Sequence, residues 1–570
     1  MPARSDHSSD NTGTVIGTNL TLDARGEPAA TKLSRLDTSV SHKIDCVASA
    51  DANIWGPIDN VGPNAPFGST PTWPITTAEA NAGLIATDII NTYEVGNVLR
   101  YGALADNGTT DNATAFSRAL SVGAYVTVPD PGPTAYFDVT SEIAFPAGRM
   151  ITGLEFKPRI KFTGSMAAAN LFSLASGGTG FHLYNLQLEG DVTADGNATN
   201  GAAVHASNCT DVDVRGCRIK NFPQAGLILN QCTAPHAIKN EIYCITPFST
   251  AAGGVAGISL EDDSTRALIQ SNDIHDIGFT TGAGSSGHGI RIIAQNVGNS
   301  APTRTRCLHN RVEEIQMHGI LYYDNANAAG TDAIDAAIIG NTVRRTGLAS
   351  VASNERGSGI YVKDISNISV ICNETIDDNV NTTGSALLRA GIVVYSVLTQ
   401  TCANVEVLGN TCRNGTRYGI ALQNILTCII DGNIIDGPAV VGMRISGDNC
   451  ADIRIGSMNV IKTANTIPAF EHACTTSVRC TADIVSAVDR SGHTHPFITN
   501  SQAGCRVIVY GEAIPTVSNW QVGDRVLNRA PTAGEPYAWV NTVAGGPGMF
   551  EVESRCPLIE AAHCQAIKIL

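Results

Sequence analysis

GIALQNILTCIIDGNII, residues 419–435, is the clearest copy of a unit that recurs along the middle of the chain. It reads Gly-apolar-x-apolar, a polar turn, a second apolar strand, and an Asn followed by one residue and another apolar one. The opening Gly recurs at Gly226, Gly257, Gly289, Gly319, Gly359, Gly391, Gly419 and Gly442. The Asn recurs at Asn240, Asn272, Asn310, Asn341, Asn373, Asn410 and Asn433. The shortest step, Gly419 to Gly442, is 23 residues. A period of roughly 20 to 50 residues marks a solenoid. Within a unit the apolar residues alternate (Ile258 and Leu260, Ile360 and Val362, Ile420 and Leu422), so each segment is a strand with one buried face. Several short strands per unit and an Asn at a fixed turn predict an all-β chain built on a right-handed parallel β-helix. The Asn column suits a structural role, since Asn tolerates a left-handed turn and bonds neighbouring backbone from coil to coil.

Composition agrees. Gly supplies 56 of 570 residues, where about 7% is usual, and charged residues are 16% against about 25% in average proteins. Both favour turn-rich stacks of neutral side chains. A net charge of −15 argues against nucleic acid as the main partner, because a phosphate backbone selects a basic footprint. It leaves room for anionic glycans held by a local Arg/Lys patch. No apolar run has the length of a membrane helix, and MPARSDHSSDNTG lacks the apolar core of a signal peptide, so neither membrane insertion nor ordinary export is expected. The 16 cysteines form no Cys-x-x-Cys pair. They are expected to be mostly reduced, with Cys217, Cys244, Cys372 and Cys412 buried as small apolar residues.

Taken in order, residues 1–55 are polar with little periodicity, and the first dozen are expected to be mobile. GPIDNVGPNAPFGSTPTWP, residues 56–74, reads as an extended linker, and TTAEANAGL from Thr76 as a short helix capped by Thr76 with Glu79 near its start. VLRYGALADNGTTDNATAFSRAL, residues 98–120, reads as a strand, a Gly/Asp turn, and a helix over 112–120 capped by Thr110 or Asp111. Ala115, Phe116, Ala119 and Leu120 share one face of that helix, which suits a lid on the open end of a solenoid.

This stretch resembles the opening signature of the pectate-lyase-like β-helix superfamily, aromatic-Gly-Ala-x-x-Asp-Gly-x-x-Asp-(Asp/Asn)-x-x-Ala-(Phe/Ile). Tyr101, Gly102, Ala103, Asp106, Gly108, Asp111, Asn112, Ala115 and Phe116 supply it, with Asn107 as an extra turn residue. The lead-in over residues 76–103 is similar to that of phage tailspikes, and the resemblance covers roughly residues 76–460. Residues 520–550 resemble a segment at the C-termini of phage tail and β-helix proteins. The resemblance implies a tailspike or tail-fibre protein. Residues 1–95 would attach to the virion through other tail or baseplate proteins, 96–465 would form the β-helix, and 466–570 a small β-rich module. It also implies a homotrimer, assembled in the host cytoplasm and carried on the virion, that binds and degrades a cell-surface polysaccharide. The competing readings are an exported cellular polysaccharide lyase or hydrolase, and a structural or adhesive virion protein without catalysis.

Spacing locates the candidate site. Coils ending at Gly257, Gly289, Gly359 and Gly391 carry eight or nine extra residues before the Gly strand, and those of Gly289, Gly319 and Gly391 carry more after it. Insertions in a solenoid crowd its binding face, which places a groove over residues 257–395 and leaves 419–445 as plain shaft. If Ile258 and Leu260 point inward, Ser259 and Glu261 point outward. The same count gives an exposed column of Glu261, Arg291, Tyr323 with Asp324 beside it, Tyr361, Lys363, Tyr395, Gln423 and Arg444. Tyr offers a flat stacking face and Arg or Lys meets sugar carboxylates. Arg291, Tyr323, Tyr361, Lys363 and Tyr395 are therefore the candidate binders. Hydrolysis needs two carboxylates about 5 to 9.5 Å apart. Glu261, Asp262, Asp263 and Asp324 are the candidates, with Glu261 and Asp324 about 10 Å apart across two coils. The plainer alternative is a solvated face with charged turns. A lyase would instead use Arg291, Lys363 or a Tyr as base, often with Ca2+, for which no cage is visible. His493 and His495, in SGHTHP, could hold a metal on a threefold axis, but two surface histidines are the plainer reading, so no metal or cofactor is expected. GAGSSG, residues 282–287, leads into a strand, which excludes a dinucleotide loop.

Overall fold

The computed structural model describes four short strands within residues 2–46, and residues 73–555 apart from 155–157, 166–168, 192–200, 247–254, 279–286, 297, 325–334, 349–356, 379–388, 398–401, 463–468, 475–476, 479, 485–497, 501–504, 512–513, 515–519, 529–530, 533 and 545–548. The chain divides into Met1–Pro74 and Ile75–Leu570. In the first unit Pro2–Ser8 pairs antiparallel with Val15–Gly17, Leu20–Thr21 and Lys43–Cys46. The sequence there shows no strand periodicity.

The second unit is a right-handed parallel β-helix with three strands per coil. One turn runs through Val255–Glu261, Leu268–Gln270 and Asp273–Ile277 before Gly287–Ala294 begins the next. The first strand of each coil joins a 13-stranded sheet, here the glycine sheet, which holds every Gly strand from Ala225–Asn230 to Val441–Gly447. The strand after each Asn joins a 12-stranded sheet. A third sheet begins at Tyr125–Val128 and continues in parallel pairing to Arg525–Asn528. There the small C-terminal β module adds Pro536–Val543 and Met549–Arg555 antiparallel. Alternation does what the sequence pattern requires: Ile258, Leu260, Ile290, Ile292, Ile320, Tyr322, Ile360 and Val362 face the interior with no exposed surface. Each full burial of such a side chain contributes roughly 1.5–3 kcal/mol, enough to fix the strand register.

The recurring Gly is required by space, and no positive φ is involved. A Cβ on Gly289 would lie 2.3 Å from Val312 Cγ1 and 2.6 Å from the Gly319 carbonyl oxygen of the next coil. The recurring Asn is a buried ladder. Asn310 N and Nδ2 both donate 2.9 Å bonds to Asn341 Oδ1, and Asn341 repeats the pair with Asn373 Oδ1 at the same distances. The expected left-handed conformation belongs to the preceding residue, at Lys239, Ser271, His309 and Cys372. A second correction concerns the cysteines. The described cysteines from Cys209 to Cys474 are free, and Cys217 and Cys412 are buried. Cys372 is exposed and Cys244 half-buried, because both sit at left-handed bends (φ 53°) where the chain turns its side chain outward.

At the N-terminal end Thr76 and Glu79 form a reciprocal cap on α1 (Thr77–Asn81), and Glu79 pairs with the buried Arg100 at 2.5 Å. The helix α2 (Ala113–Val122) lays Phe116 against Phe137 of the first coil, with ring centroids 6.0 Å apart. The acidic residues of the opening signature bond turn backbone, and the N-cap of α2 is Asn112 where Thr110 or Asp111 was expected. Asp111 Oδ1 accepts from Ala113 N, Asp106 Oδ1 from Thr110 N, and the buried Asn112 amide bonds Leu104 and Asp138 backbone.

Candidate functional site

The outer face of the glycine sheet carries two side-chain columns where the sequence count shows one. Pairing places Ser259, Arg291, Leu321, Tyr361, Val393, Ala421 and Arg444 opposite one another on successive coils. A second column, two residues further along each strand, holds Glu261, Ile293, Tyr323, Lys363, Tyr395 and Gln423. Beyond it come Asp262 and Asp364, each at a left-handed turn, and Ala294 and Asp324, the last residues of their strands. The insertions expected to wall this face lie almost entirely at 247–254, 279–286, 325–334, 349–356, 379–388 and 398–401, outside the described residues, as do His493 and His495.

Both columns point outward, yet much of the first is covered. Tyr361 is only 2% exposed and stacks on His318 at 4.4 Å, which stacks in turn on His288 at 5.5 Å. Leu321, Tyr361, Val393, Tyr418 and Ala421 form an apolar cluster against which Tyr323 and Tyr395 pack. Tyr361 therefore presents its ring to His318 and not to solvent.

Glu261 and Arg291 are joined in a buried network. Arg291 Nη2 donates to Glu261 Oε1, Arg291 Nε donates to Ser259 Oγ at 2.9 Å, and Ser259 Oγ donates to Glu261 Oε1 at 2.7 Å. Asn230 Nδ2 reaches Glu261 Oε2 at 3.4 Å. Asp262 takes a left-handed turn (φ 41°), and its Oδ1 accepts from the backbone of Gln295 and Asn296 on the next coil. The exposed Asp263 caps Ser300 N at 2.9 Å.

Tyr323, Lys363 and Tyr395 are brought together. The Lys363 ammonium lies 4.4 Å from the Tyr323 ring centroid and 5.4 Å from that of Tyr395. Both rings are half-buried and Lys363 is 7% exposed, so the tyrosines show their outer edges while the cation sits between them. Such contacts are worth about 0.5–2 kcal/mol each. Asp324, the buried last residue of its strand, and Asp364, at a left-handed turn (φ 57°), follow one coil apart. Burial raises the Asp364 carboxyl above the ordinary carboxylate range and Asp324 adds to the push. The Val397 N–H, Ser396 and Lys363 offset part of it. Asp364 follows Lys363 just as Asp324 follows Tyr323, and that repeated position is the sequence signal for a residue the motif reading passed over.

Among the described residues no helix is long and apolar enough to cross a membrane, and no group of three His, Cys, Asp or Glu side chains is placed to hold a metal. No protein-family model matches the chain and no curated protein matches it. Solved structures do. Gene product 12 of bacteriophage phi29, in its pre-mature form, aligns with a TM-score of 0.50 at 14% identity, over 74% of this chain and 63% of that one. Tailspike protein 3 of bacteriophage CBA120 gives 0.43 at 13%, over 81% and 69%. The surface adhesin PfbA of Streptococcus pneumoniae gives 0.48 at 12%, over 66% and 99%. At these identities the likeness concerns the fold. The chain is thus a right-handed parallel β-helix protein, an architecture it shares with the phage phi29 product.

Proposed function

We propose that this chain is a phage tailspike or tail-fibre protein that binds a cell-surface polysaccharide along the glycine sheet and hydrolyses it there. The observation that carries the reading is the clasp of Lys363 between Tyr323 and Tyr395, with Asp324 at the end of its strand and Asp364 at the turn after Lys363. Tyr edges beside a cation suit a sugar ring with a charged or hydroxylated rim. Adjacent coils are about 4.8 Å apart, which matches the short carboxylate separation of a retaining hydrolase. In this scheme Asp364, whose carboxyl burial keeps protonated to higher pH, donates to the leaving oxygen, and Asp324 faces the anomeric carbon. Glu261 is the weaker candidate, because Arg291, Ser259 and Asn230 already occupy its oxygens. The resemblance of residues 76–103 to tailspike lead-ins supports the virion assignment and attachment through residues 1–95.

Association into a homotrimer belongs to the same proposal. Leu308, Ile339, Ile371 and Leu408 stand in register on the outer face of the third sheet, an apolar stripe that a neighbouring copy would cover. Incubating the full chain with polysaccharides from candidate host cells tests the reading. Binding with new reducing ends is expected. Ultraviolet absorbance of an unsaturated product would replace hydrolysis by lyase chemistry, and no binding to any surface glycan would overturn the proposal.

A further inference from the structure

Two cysteines of the early coils lie side by side in the interior. Thr210 pairs with Thr233 on the next coil, and Thr233 N donates to the Cys209 carbonyl at 2.8 Å. That register sets Cys209 beside Cys232. Parallel neighbours stand about 4.8 Å apart, inside the roughly 4.4–6.8 Å between Cα atoms that a disulfide accepts. Both thiols are free, and the residues are 1% and 0% exposed. Cys232 Sγ lies 3.7 Å from the Ala206 carbonyl oxygen and Cys209 Sγ lies 3.3 Å from that of Ser207, so both sulfurs gather at one stretch of the Cys209 coil.

The pair is unequal. A hydrogen bond from Cys232 holds the Cys209 thiol below its ordinary range, and the same contact, followed by burial, raises Cys232. Cys209 therefore has the greater thiolate character, which is the form that reacts with oxidants. Access favours the same residue. Asn208 and Thr210 on either side of Cys209 are exposed, whereas Gln231 and Thr233 around Cys232 are half-buried. The exposed Cys372 has a different setting, since Gly340 and Gly409 are its neighbours in register.

We infer that Cys209 and Cys232 are a redox pair that closes into a disulfide and staples two coils of the β-helix when the protein meets a peroxide. The Cys209 thiolate attacks hydrogen peroxide, and a sulfenic acid forms as hydroxide leaves and takes up the thiol proton. The Cys232 thiol then attacks that sulfur, the S–S bond forms, and the sulfenic oxygen leaves as water with the Cys232 proton. Two thiols together lose two electrons, and one peroxide becomes two waters. The bond ties residue 209 to residue 232 and restricts the unfolded chain. This inference is independent of the polysaccharide reading.

The test treats the folded full chain with hydrogen peroxide, at concentrations that oxidise the exposed Cys372, then alkylates the remaining thiols and maps the peptides. Cys480 and Cys505 also stand in register, so each cross-link is assigned from its own peptides. A Cys209–Cys232 cross-link is expected, together with an unfolding temperature raised by about 2–5 °C, and dithiothreitol should reverse both. Cys232→Ser should stop at a Cys209 sulfenic acid that dimedone traps. That variant should fold, because Ser264 already occupies the next place in this column, where its Oγ accepts from Cys232 N at 2.9 Å. Oxidised Cys372 without the Cys209–Cys232 cross-link overturns the redox pair. A cross-link that leaves the unfolding temperature unchanged overturns the staple.

Discussion

The Lys363 ammonium lies 4.4 Å from the ring centroid of Tyr323 on the preceding coil, a contact that no spacing rule within one strand could supply. Register sets it: Tyr323 pairs with Lys363, and Lys363 with Tyr395. Parallel stacking turns residues about 30–40 positions apart into immediate neighbours.

The first prediction concerns this clasp. Tyr395→Ala removes one partly exposed face and one cation–π contact, worth about 1–2 kcal/mol, and glycan affinity should fall roughly tenfold. Tyr361→Ala should instead lower the unfolding temperature before it lowers affinity, since that ring is stacked under His318. Titration of both variants against one bound polysaccharide separates the two effects.

Asp364→Asn should abolish turnover while leaving glycan binding within about twofold, because it keeps the side-chain shape and removes the transferable proton. The Asp364 carboxyl is raised by burial, so the acid form persists above the ordinary carboxylate range. Hydrolysis should decline as pH rises through its folded value. A rate that climbs with pH across that range would exclude Asp364 as the acid.

Gly289→Ala should destabilise the β-helix by roughly 1–3 kcal/mol, the usual effect of overpacking a filled interior. Its Cβ would meet Val312 Cγ1 at 2.3 Å and a carbonyl oxygen of the next coil at 2.6 Å. Chemical denaturation should show a lower midpoint, whereas Gly298→Ala, with open space around it, should suffer only from its left-handed φ of 95°.

Two buried carboxylates should give opposite pH signatures. Burial raises the Glu79 carboxyl, but its bonds from Arg100 and Thr76 outweigh burial and hold it down at about 2. Its stabilising effect is present above 4.5, its ordinary value, and is lost as pH falls toward 2. Glu79→Ala should cost about 3–5 kcal/mol at neutral pH by leaving Arg100 buried alone, and the deficit should shrink in acid.

Asp378 behaves the other way. Burial raises its carboxyl well above 3.8, with Thr375 and Thr346 offsetting part of the rise. Its contribution is complete below that ordinary value and disappears as pH climbs through the raised one. Asp378→Asn should flatten the stability profile between its ordinary and its raised value. An unchanged slope in thermal melts from acid to neutral pH would refute the assignment.

The sequence alone determined the solenoid. A Gly every coil, an Asn at each turn and alternating Ile and Val need only local rules, since spacing along the chain fixes which residues face inward. It also determined which residue types the outer face holds, the capping pair Thr76 and Glu79, and the lid helix with Phe116 on its inner face, though the N-cap of that helix is Asn112 and not Thr110 or Asp111. What only the tertiary structure decided is which of those residues meet. The sequence count merges into one the two outward columns that stand two and four residues after each Gly. Stacking separates Arg291 and Tyr361 from Lys363 and Tyr395, ties Glu261 to Arg291, and covers Tyr361 with His318. Those contacts join residues tens of positions apart, and their energies depend on burial and charge that exist only after the coils have stacked.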